Sequence, residues 1–552
     1  MQRAAYLFMI AVIEGAILLN VFVRQIHLDE YLFLEQIYKH VLGELEKPVQ
    51  TFYVYIFEWV VFLPLDDIEK VVTGRFVMWL FHLSTLFFVF RISESFGTKK
   101  GAWLSVLAYA SFIYTVQHAA SFRADPLVTA LLMAVLFTLT RMTISLPGLL
   151  LSGVTTAIAG LISIKSIFYL PLIGAVVWQH FRHSRSSKLF WSLLASLLVA
   201  IIAFSGLMFL HLDGADRLND LVIPYIFGAV RKQFGEKEPF DTVWYLLVLI
   251  IFNLPNWIVI TYGLVQAANL AWSGPPAIRD RARLALVFFL PIMLVFVYRN
   301  SFPYFYVFAL APVVILAGFS IPSGSTNVIQ RLSLPIAVTL TFLGVLHGSR
   351  ELSLSNSGQK SMLEAVSAVY PDRVPYYDGF ASIPSYPRIG PYLTSWVMED
   401  YRRRGRPEIA RLVREMKPRF VIAQHDLILD ALTMGAQVPQ KQYSLFPPDA
   451  EALHNNFIPH WGQFWIAGKR LRPRNAAAQE FEINIAGKYT FEGKTAGLID
   501  DRSVKPGEVV NLREGNHLYE GAAALLRYGD HPPVPDRDPP AHLYRKHFAS
   551  GF

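Results

Sequence analysis

The sequence predicts a polytopic α-helical membrane protein with a soluble C-terminal domain of mixed helix and strand. Two observations carry this. Of the 552 residues, 53% are hydrophobic and only 17% charged, against about 25% charged in an ordinary soluble chain. The deficit is also uneven: before Arg350 apolar blocks alternate with short polar breaks, and after it the composition is that of a soluble protein.

Apolar stretches close to the roughly 17–25 residues needed to cross a bilayer recur along the first part of the chain. In order they are Ala4–Val23, Gly74–Phe90, Ala102–Gln117, Pro126–Thr140, Leu146–Ile162 and Ile167–Trp178, then Leu189–Leu210, Val243–Ala267, Leu284–Tyr298, Pro303–Phe319 and Leu332–Leu346. Hydropathy therefore predicts about eleven transmembrane helices, the first an uncleaved span because no small-residue cleavage pattern precedes Arg24.

The breaks alternate in character. Arg91/Lys99/Lys100, Arg182/Arg185/Lys188 and Arg279/Arg281/Arg283 are compact basic clusters on one side. The other side carries the long loop 24–73, rich in Asp and Glu, and the loop His211–Asp241. Basic residues at span ends mark the cytoplasm. The expected topology has the N-terminus inside and the long loops and C-terminal domain outside. These basic loops explain part of the net charge of +8, and the apolar, aromatic-rich blocks do not suit a nucleic-acid groove. The chain has no cysteine, which removes disulfides and thiolate metal sites.

The soluble part divides in expectation into a mixed α/β domain at 350–470 and a small β domain at 471–552, after a membrane domain at 1–349. Glu408–Met416 has helical spacing, while Arg419–Ala423 and Gln463–Ala467 read as short strands. From Glu480 the period changes to two, through Phe481, Ile483 and Ile485, then Tyr489 and Phe491, then Val509, Val510 and Leu512. Alternation with closely spaced turn signals indicates antiparallel sheet.

Four polar signals stand at the external mouths of spans. Asp29 and Glu30 follow the first span, and Glu46-Lys47-Pro48 comes next, ahead of Phe52, Tyr53, Tyr55 and Trp59. Carboxylates at a lipid–water boundary can activate a hydroxyl, and a Lys there can hold a phosphate; the same charges also suit a solvated loop. Arg123-Ala124-Asp125-Pro126 opens a span, where Asp125 also suits a helix N-cap. Lys165 is a lone cation between apolar runs, compatible with a snorkelling side chain at a hairpin tip. Tyr304 and Tyr306 follow Arg299, where tyrosines commonly serve as interfacial anchors. Inside the first span, Glu14 is a costly intramembrane carboxylate, expected to pack against His82 or Arg75 if it is structural.

At these residues the sequence resembles the GT-C class of membrane glycosyltransferases, in the branch of protein O-mannosyltransferases and lipid A aminoarabinose transferases. Asp29-Glu30, Glu46-Lys47-Pro48, Arg123-x-Asp125-Pro126, Lys165 ahead of Pro171, and Tyr304/Tyr306 ahead of Ala311-Pro312 occur in family order. The resemblance implies inverting transfer of a sugar from a polyprenyl-phosphate donor to a lipid, glycan or protein acceptor, at the external face of a bacterial inner membrane with the C-terminal domain periplasmic. It gives Asp29 the role of activating the acceptor, with Glu30 and Asp125 also in the catalytic set. It assigns Glu46, Lys47, Arg123, Lys165, Tyr304 and Tyr306 to donor or acceptor binding, with Lys165 on the donor phosphate. Metal dependence stays open: the carboxylates can hold a divalent cation, or Lys47, Arg123 and Lys165 can neutralise the phosphate without one. Leu32 stands where the aminoarabinose transferases carry an Arg, and the gap from Asp29 to Glu46 is shorter, so the acceptor is not fixed. A transporter or flippase for lipid-linked sugars is the alternative, hinted at by Glu14 and by the Asn253-Leu254-Pro255-Asn256 interruption; a membrane-anchored binding or assembly protein is a further one.

Overall fold

The structure is a computed structural model that describes residues 2–46, 49–141, 145–184, 186–212, 242–296, 298, 300–321, 328–440, 443–473 and 478–543. Lys47, Arg185, Arg299 and most of the loop between His211 and Asp241 lie outside the described residues. The chain forms two compact units: residues 1–24, 39–65 and 69–354 in one, residues 25–38, 66–68 and 355–552 in the other.

The first unit is helical: α1 (Gln2–Val23), α2 (Leu28–Val41, shared with the second unit), α3 (Val54–Phe57), α4 (Asp67–Phe96), α5 (Lys99–Ser111), α6 (Ile113–His118), α7 (Ala124–Arg141), α8 (Leu146–Ile162), α9 (Leu170–Ser184) and α10 (Ser187–His211). After the loop come α11 (Val243–Phe252), α12 (Leu254–Ser273), α13 (Pro276–Val287), α14 (Leu290–Met293), α15 (Phe305–Val313) and α16 (Val328–Leu352). Among the described residues, four helices are long and apolar enough to cross a bilayer, or five if the bent pair α11–α12 is one span, and three shorter apolar helices accompany them. The expectation of about eleven spans counted the shorter apolar runs as spans too.

Close backbone approach is what the glycines contribute. A Cβ on Gly97 or Gly101 would meet the carbonyl of Gly318, and one on Gly263 would meet that of Leu316. Small residues let helices in lipid reach this separation.

Two helices are interrupted, and asparagine side chains at one interruption bond groups at the other. The extended Phe112 separates α5 from α6, and Asn253 separates α11 from α12 with a bend of 95°. The Asn253 side-chain carbonyl accepts the Ile113 N–H at 3.0 Å, and the Asn256 amide donates to Ala108 O at 2.8 Å and Ser111 Oγ at 2.7 Å. Backbone groups freed by a break at membrane depth persist only when bonded inside the protein. The interruption read from the sequence thus staples the first break. Glu14 is likewise satisfied, by His82 Nε2 at 3.1 Å and Trp79 Nε1 at 3.0 Å.

The second unit contains helices α17 (Ser357–Val369), α18 (Ser395–Arg404), α19 (Ile409–Met416), α20 (Asp426–Met434) and α21 (Pro447–Asn456). Its strands are β1 (Tyr376–Asp378), β2 (Arg388–Ile389), β3 (Phe420–Ile422), β4 (Phe457–Trp461), β5 (Phe464–Leu471), β6 (Gln479–Ile483), β7 (Gly487–Gly493), β8 (Gly497–Ile499), β9 (Arg502–Val504), β10 (Val509–Leu512), β11 (Gly515–Glu520) and β12 (Ala524–Tyr528). The main sheet runs β10-β7-β12-β5-β3-β1-β2, with β4 also on β5, and a second sheet runs β6-β11-β8-β9. β1 pairs parallel with both β2 and β3, whereas the β3–β5 pairing and those onward are antiparallel. Alternation explains the two faces: Tyr377, Val421 and Trp465 join one apolar cluster, and Tyr376, Phe420, Ile422, Phe464 and Ile466 the other. The expected boundary at 470 falls inside β5, which pairs with β3 on one edge and β12 on the other. Strands from both sides of it share one sheet.

Residues 25–38, from the expected first external loop, are built into this unit. Glu35 and Arg388 form a bidentate pair at 2.8 and 3.0 Å. Gln359 exchanges two hydrogen bonds with the backbone of Ile26, at 2.8 and 2.9 Å. Tyr38 donates to Asp67, whose other oxygen accepts from Ser385 N and Oγ.

Candidate functional site

In the helical unit, four of the expected site residues converge. Asp125 lies in the first turn of α7, buried to 5% side-chain exposure. One of its carboxylate oxygens meets Lys165 Nζ at 2.5 Å and the other Arg123 Nε at 3.3 Å. The Arg123 guanidinium stands 3.7 Å above the Tyr304 ring, and Lys165 Nζ lies 4.7 Å from the same centroid. Lys165 is therefore folded back onto a carboxylate and an aromatic face, with 14% of its side chain exposed, rather than snorkelling along the helix axis. Asp125 serves the two cations rather than acting only as a helix cap.

Local sequence explains each placement. Lys165 opens a 3-10 turn, Ile164–Tyr169, between α8 and α9; Ser163 caps it, and Ser166 Oγ donates to Ala159 O at 2.8 Å. Pro126 fits the first turn of α7 because its missing N–H would have no partner there. The segment before Arg123 is fixed by Arg24, which donates to Ser121 Oγ at 3.0 Å and to Gln117 O, and which lies 3.9 Å from Glu351. Gln117 in turn donates to Glu351 at 2.9 Å, and Arg75 holds Arg24 O at 2.7 Å. Sequence reasoning missed this buried network. The charges at span ends, Arg24 and Glu351, were the available signal.

The loop after Glu46 is held beside the same turn. Gln50 accepts the Ile164 N–H at 3.3 Å, Thr51 Oγ1 bonds His211 Nε2 at 3.0 Å, and Tyr55 bonds His211 Nδ1 at 3.1 Å. Val49 and Phe52 pack with Leu161, Met208 and Leu212. Of the aromatic residues noted in the sequence, Phe52 and Tyr55 act here, and His211 is the partner that sequence reasoning did not supply.

The remaining candidates are placed differently. Glu46 is exposed on a bend, and Lys47 lies outside the described residues. Tyr306 is buried in α15, its ring 5.2 Å from that of Tyr114 and its hydroxyl without a partner among the described residues. Asp29 and Glu30 belong to the second unit. Glu30 is fully buried and its carboxylate accepts the His27 N–H at 2.9 Å, while His27 Nδ1 accepts the Asp29 N–H at 3.2 Å. This is a reciprocal cap on α2, so local structure accounts for Glu30. Asp29 keeps 26% of its side chain exposed and lies 3.7 Å from His27. Among the described residues no group of three or more His, Asp or Glu side chains is arranged to hold a metal ion.

Among the described residues, two cations meet one carboxylate in the first cluster, beside an aromatic face. Such a site suits an anionic oxygen group, a phosphate above all.

No family model matches the sequence, and no curated protein matches it. Solved structures do. The crystal structure of ArnT from Cupriavidus metallidurans in the apo state superposes with a TM-score of 0.55 at 13% identity, over 79% of this chain and 96% of that one. The same protein bound to undecaprenyl phosphate gives 0.56 at 13% identity over the same shares. The apo oligosaccharyltransferase of Archaeoglobus fulgidus gives 0.45 at 9% identity, over 92% of this chain and 76% of that one. This chain shares the fold of the ArnT crystal structures over 79% of its length.

Proposed function

We propose that this protein is an inverting glycosyltransferase that moves a sugar from a polyprenyl-phosphate-linked donor to an acceptor at the external face of the membrane. The observation that carries the reading is the Asp125–Lys165–Arg123–Tyr304 cluster. It lies on a fold shared with a protein that has been solved with undecaprenyl phosphate.

Lys165 and Arg123 take the charge that develops on the departing phosphate as the bond from the anomeric carbon to the phosphate oxygen breaks. Asp125 fixes the two cations, and Tyr304 packs against both. The acceptor hydroxyl oxygen bonds the anomeric carbon from the face opposite the phosphate, so configuration inverts, and the family resemblance assigns Asp29 as the base that takes its proton. The first unit holds the donor, and Asp29 belongs to the second. Glu14, which a transporter would need as a mobile membrane carboxylate, is already bonded to His82 and Trp79.

The test uses purified protein in lipid nanodiscs with a radiolabelled polyprenyl-phosphate sugar and the cell's lipid, glycan and protein fractions as acceptors. Asp29→Asn is expected to lose transfer by at least about a hundredfold while still binding the lipid phosphate. Transfer at the unmodified rate in that variant removes Asp29 from the chemistry.

A further inference from the structure

The chemistry above leaves unused a set of side chains at the carboxyl edge of the three parallel strands in the second unit. β1 ends at Asp378, β3 runs on into Gln424 and His425, and Tyr392 follows β2. The Phe380 ring lies 4.9 Å from the His425 ring and 6.1 Å from that of Tyr392. Phe380 and His425 are partly open to solvent. In open α/β sheets this edge is where ligands bind.

Asp378 is fully buried, and its carboxylate accepts from Phe380 N at 3.0 Å, from Ser382 N at 2.6 Å and from Gln424 Nε2 at 3.0 Å. Those bonds fix Gln424 with its amide nitrogen inward and leave its carbonyl oxygen buried without a partner among the described residues. The Tyr392 hydroxyl is in the same condition, in a residue only 9% exposed. Buried polar groups are normally bonded, so an orphan acceptor and an orphan hydroxyl at a ring-lined strand edge mark a place for a polar ligand.

Charge decides which ligand. Burial, and then the Asp29 carboxylate, push the Tyr392 hydroxyl far above its ordinary range, so it remains a donor. Arg388 pulls it down, and Asp378 and Glu35 push it up further. Arg388, the cation of that set, already donates twice to Glu35 and once to Gly390 O. His27 Nδ1 accepts the Asp29 N–H, so that nitrogen carries no proton. A phosphate would meet carboxylates here. A neutral polyol would meet rings for its C–H faces, a hydroxyl donor, an amide carbonyl and a carboxylate to accept its hydroxyls.

We propose that Phe380, Tyr392, His425 and Gln424, with Asp29, form a carbohydrate-recognition face that receives the neutral glycan part of the acceptor. This rests on the reading of Asp29 as the acceptor base and deepens it: the acceptor group is a glycan hydroxyl, not a lipid phosphate.

The experiment is saturation-transfer NMR on the full chain in lipid nanodiscs, free of maltoside detergent. The probes are cellobiose, mannobiose and N,N′-diacetylchitobiose, with glucose 1-phosphate as the anionic comparison. At least one neutral disaccharide is expected to show transfer. Phe380→Ala should abolish it, and Tyr392→Phe, which keeps the ring, should weaken it about three- to tenfold. Glucose 1-phosphate should bind no better than its neutral counterparts. Absence of binding by all three disaccharides, binding indifferent to both substitutions, or stronger binding of glucose 1-phosphate through the same residues overturns the proposal. The assay needs no donor. Phe380-dependent glycan binding alongside unimpaired transfer by Asp29→Asn would keep the face and remove the base. Loss of transfer in Asp29→Asn without glycan binding would do the reverse.

Discussion

Lys165→Met removes one charge and keeps most of the side-chain length, which makes it a direct probe of the phosphate site. In the native cluster Lys165 and Arg123 face a single carboxylate, at 2.5 and 3.3 Å, with 14% and 11% of their side chains exposed. The Met variant removes one of these two cations. A hydrogen bond to a charged group contributes about 1.5–3 kcal/mol, which corresponds to a rise of roughly 10- to 150-fold in Kd. Binding of a polyprenyl phosphate to protein in nanodiscs, followed by native mass spectrometry, reads this directly, with Lys360→Met in the soluble unit as control. Asp125→Asn should move binding the other way, because it adds net positive charge. It should still slow transfer, because the restraint on both cations is lost. Unchanged affinity in Lys165→Met, or weakened phosphate binding in Asp125→Asn, would refute the assignment of the cluster to a phosphate.

The buried Glu35–Arg388 pair, with side-chain exposures of 3% and 5%, should be costly to break and cheap to replace. Burial works against the Arg388 charge, but Glu35 more than offsets it and holds the guanidinium above its ordinary range. Arg388→Met alone is expected to destabilise by about 3–5 kcal/mol, and the double Glu35→Met/Arg388→Met variant by much less; equal losses in denaturant titrations would contradict this. Lys469, bonded to Asn456 at 2.7 Å, is lowered by burial from 10.5 to about 8. Between those values the unfolded chain binds more protons, so stability rises with pH there, while below about pH 8 the penalty is full. Lys469→Met should therefore be more stable at pH 7, by up to about 3 kcal/mol, with the difference closing by pH 10.5. A difference that does not change with pH, read by tryptophan fluorescence during denaturation, would show that Lys469 is not charged at a cost.

Much of the fold was legible in the amino-acid order because hydropathy and period are local. The longest apolar runs became long helices, Glu408–Met416 became a helix, and the alternating stretch after Glu480 became antiparallel strands. The Asn253 break was legible for the same reason, since Asn253-Leu254-Pro255-Asn256 sets a Pro, which has no N–H to donate inside a helix, between two asparagines. β1 and β2 were not, because strands of three and two residues are too short for alternation to show.

By itself, then, the sequence determined which segments are apolar enough to be helices in lipid and where the apolar blocks give way to ordinary composition. It also supplied Arg123, Asp125, Lys165 and Tyr304, the residues of the proposed phosphate cluster. Only the tertiary structure decided that Lys165 reaches the carboxylate of Asp125 across 40 residues of sequence, and that Glu35 pairs with Arg388 across 353. It also folded residues 25–38 into the soluble unit and turned Glu30 onto its own helix end. The reason is physical. Apolar transfer is roughly additive along a chain, whereas the partner of a buried charge is chosen by whichever distant backbone or side chain the packing brings within about 3 Å.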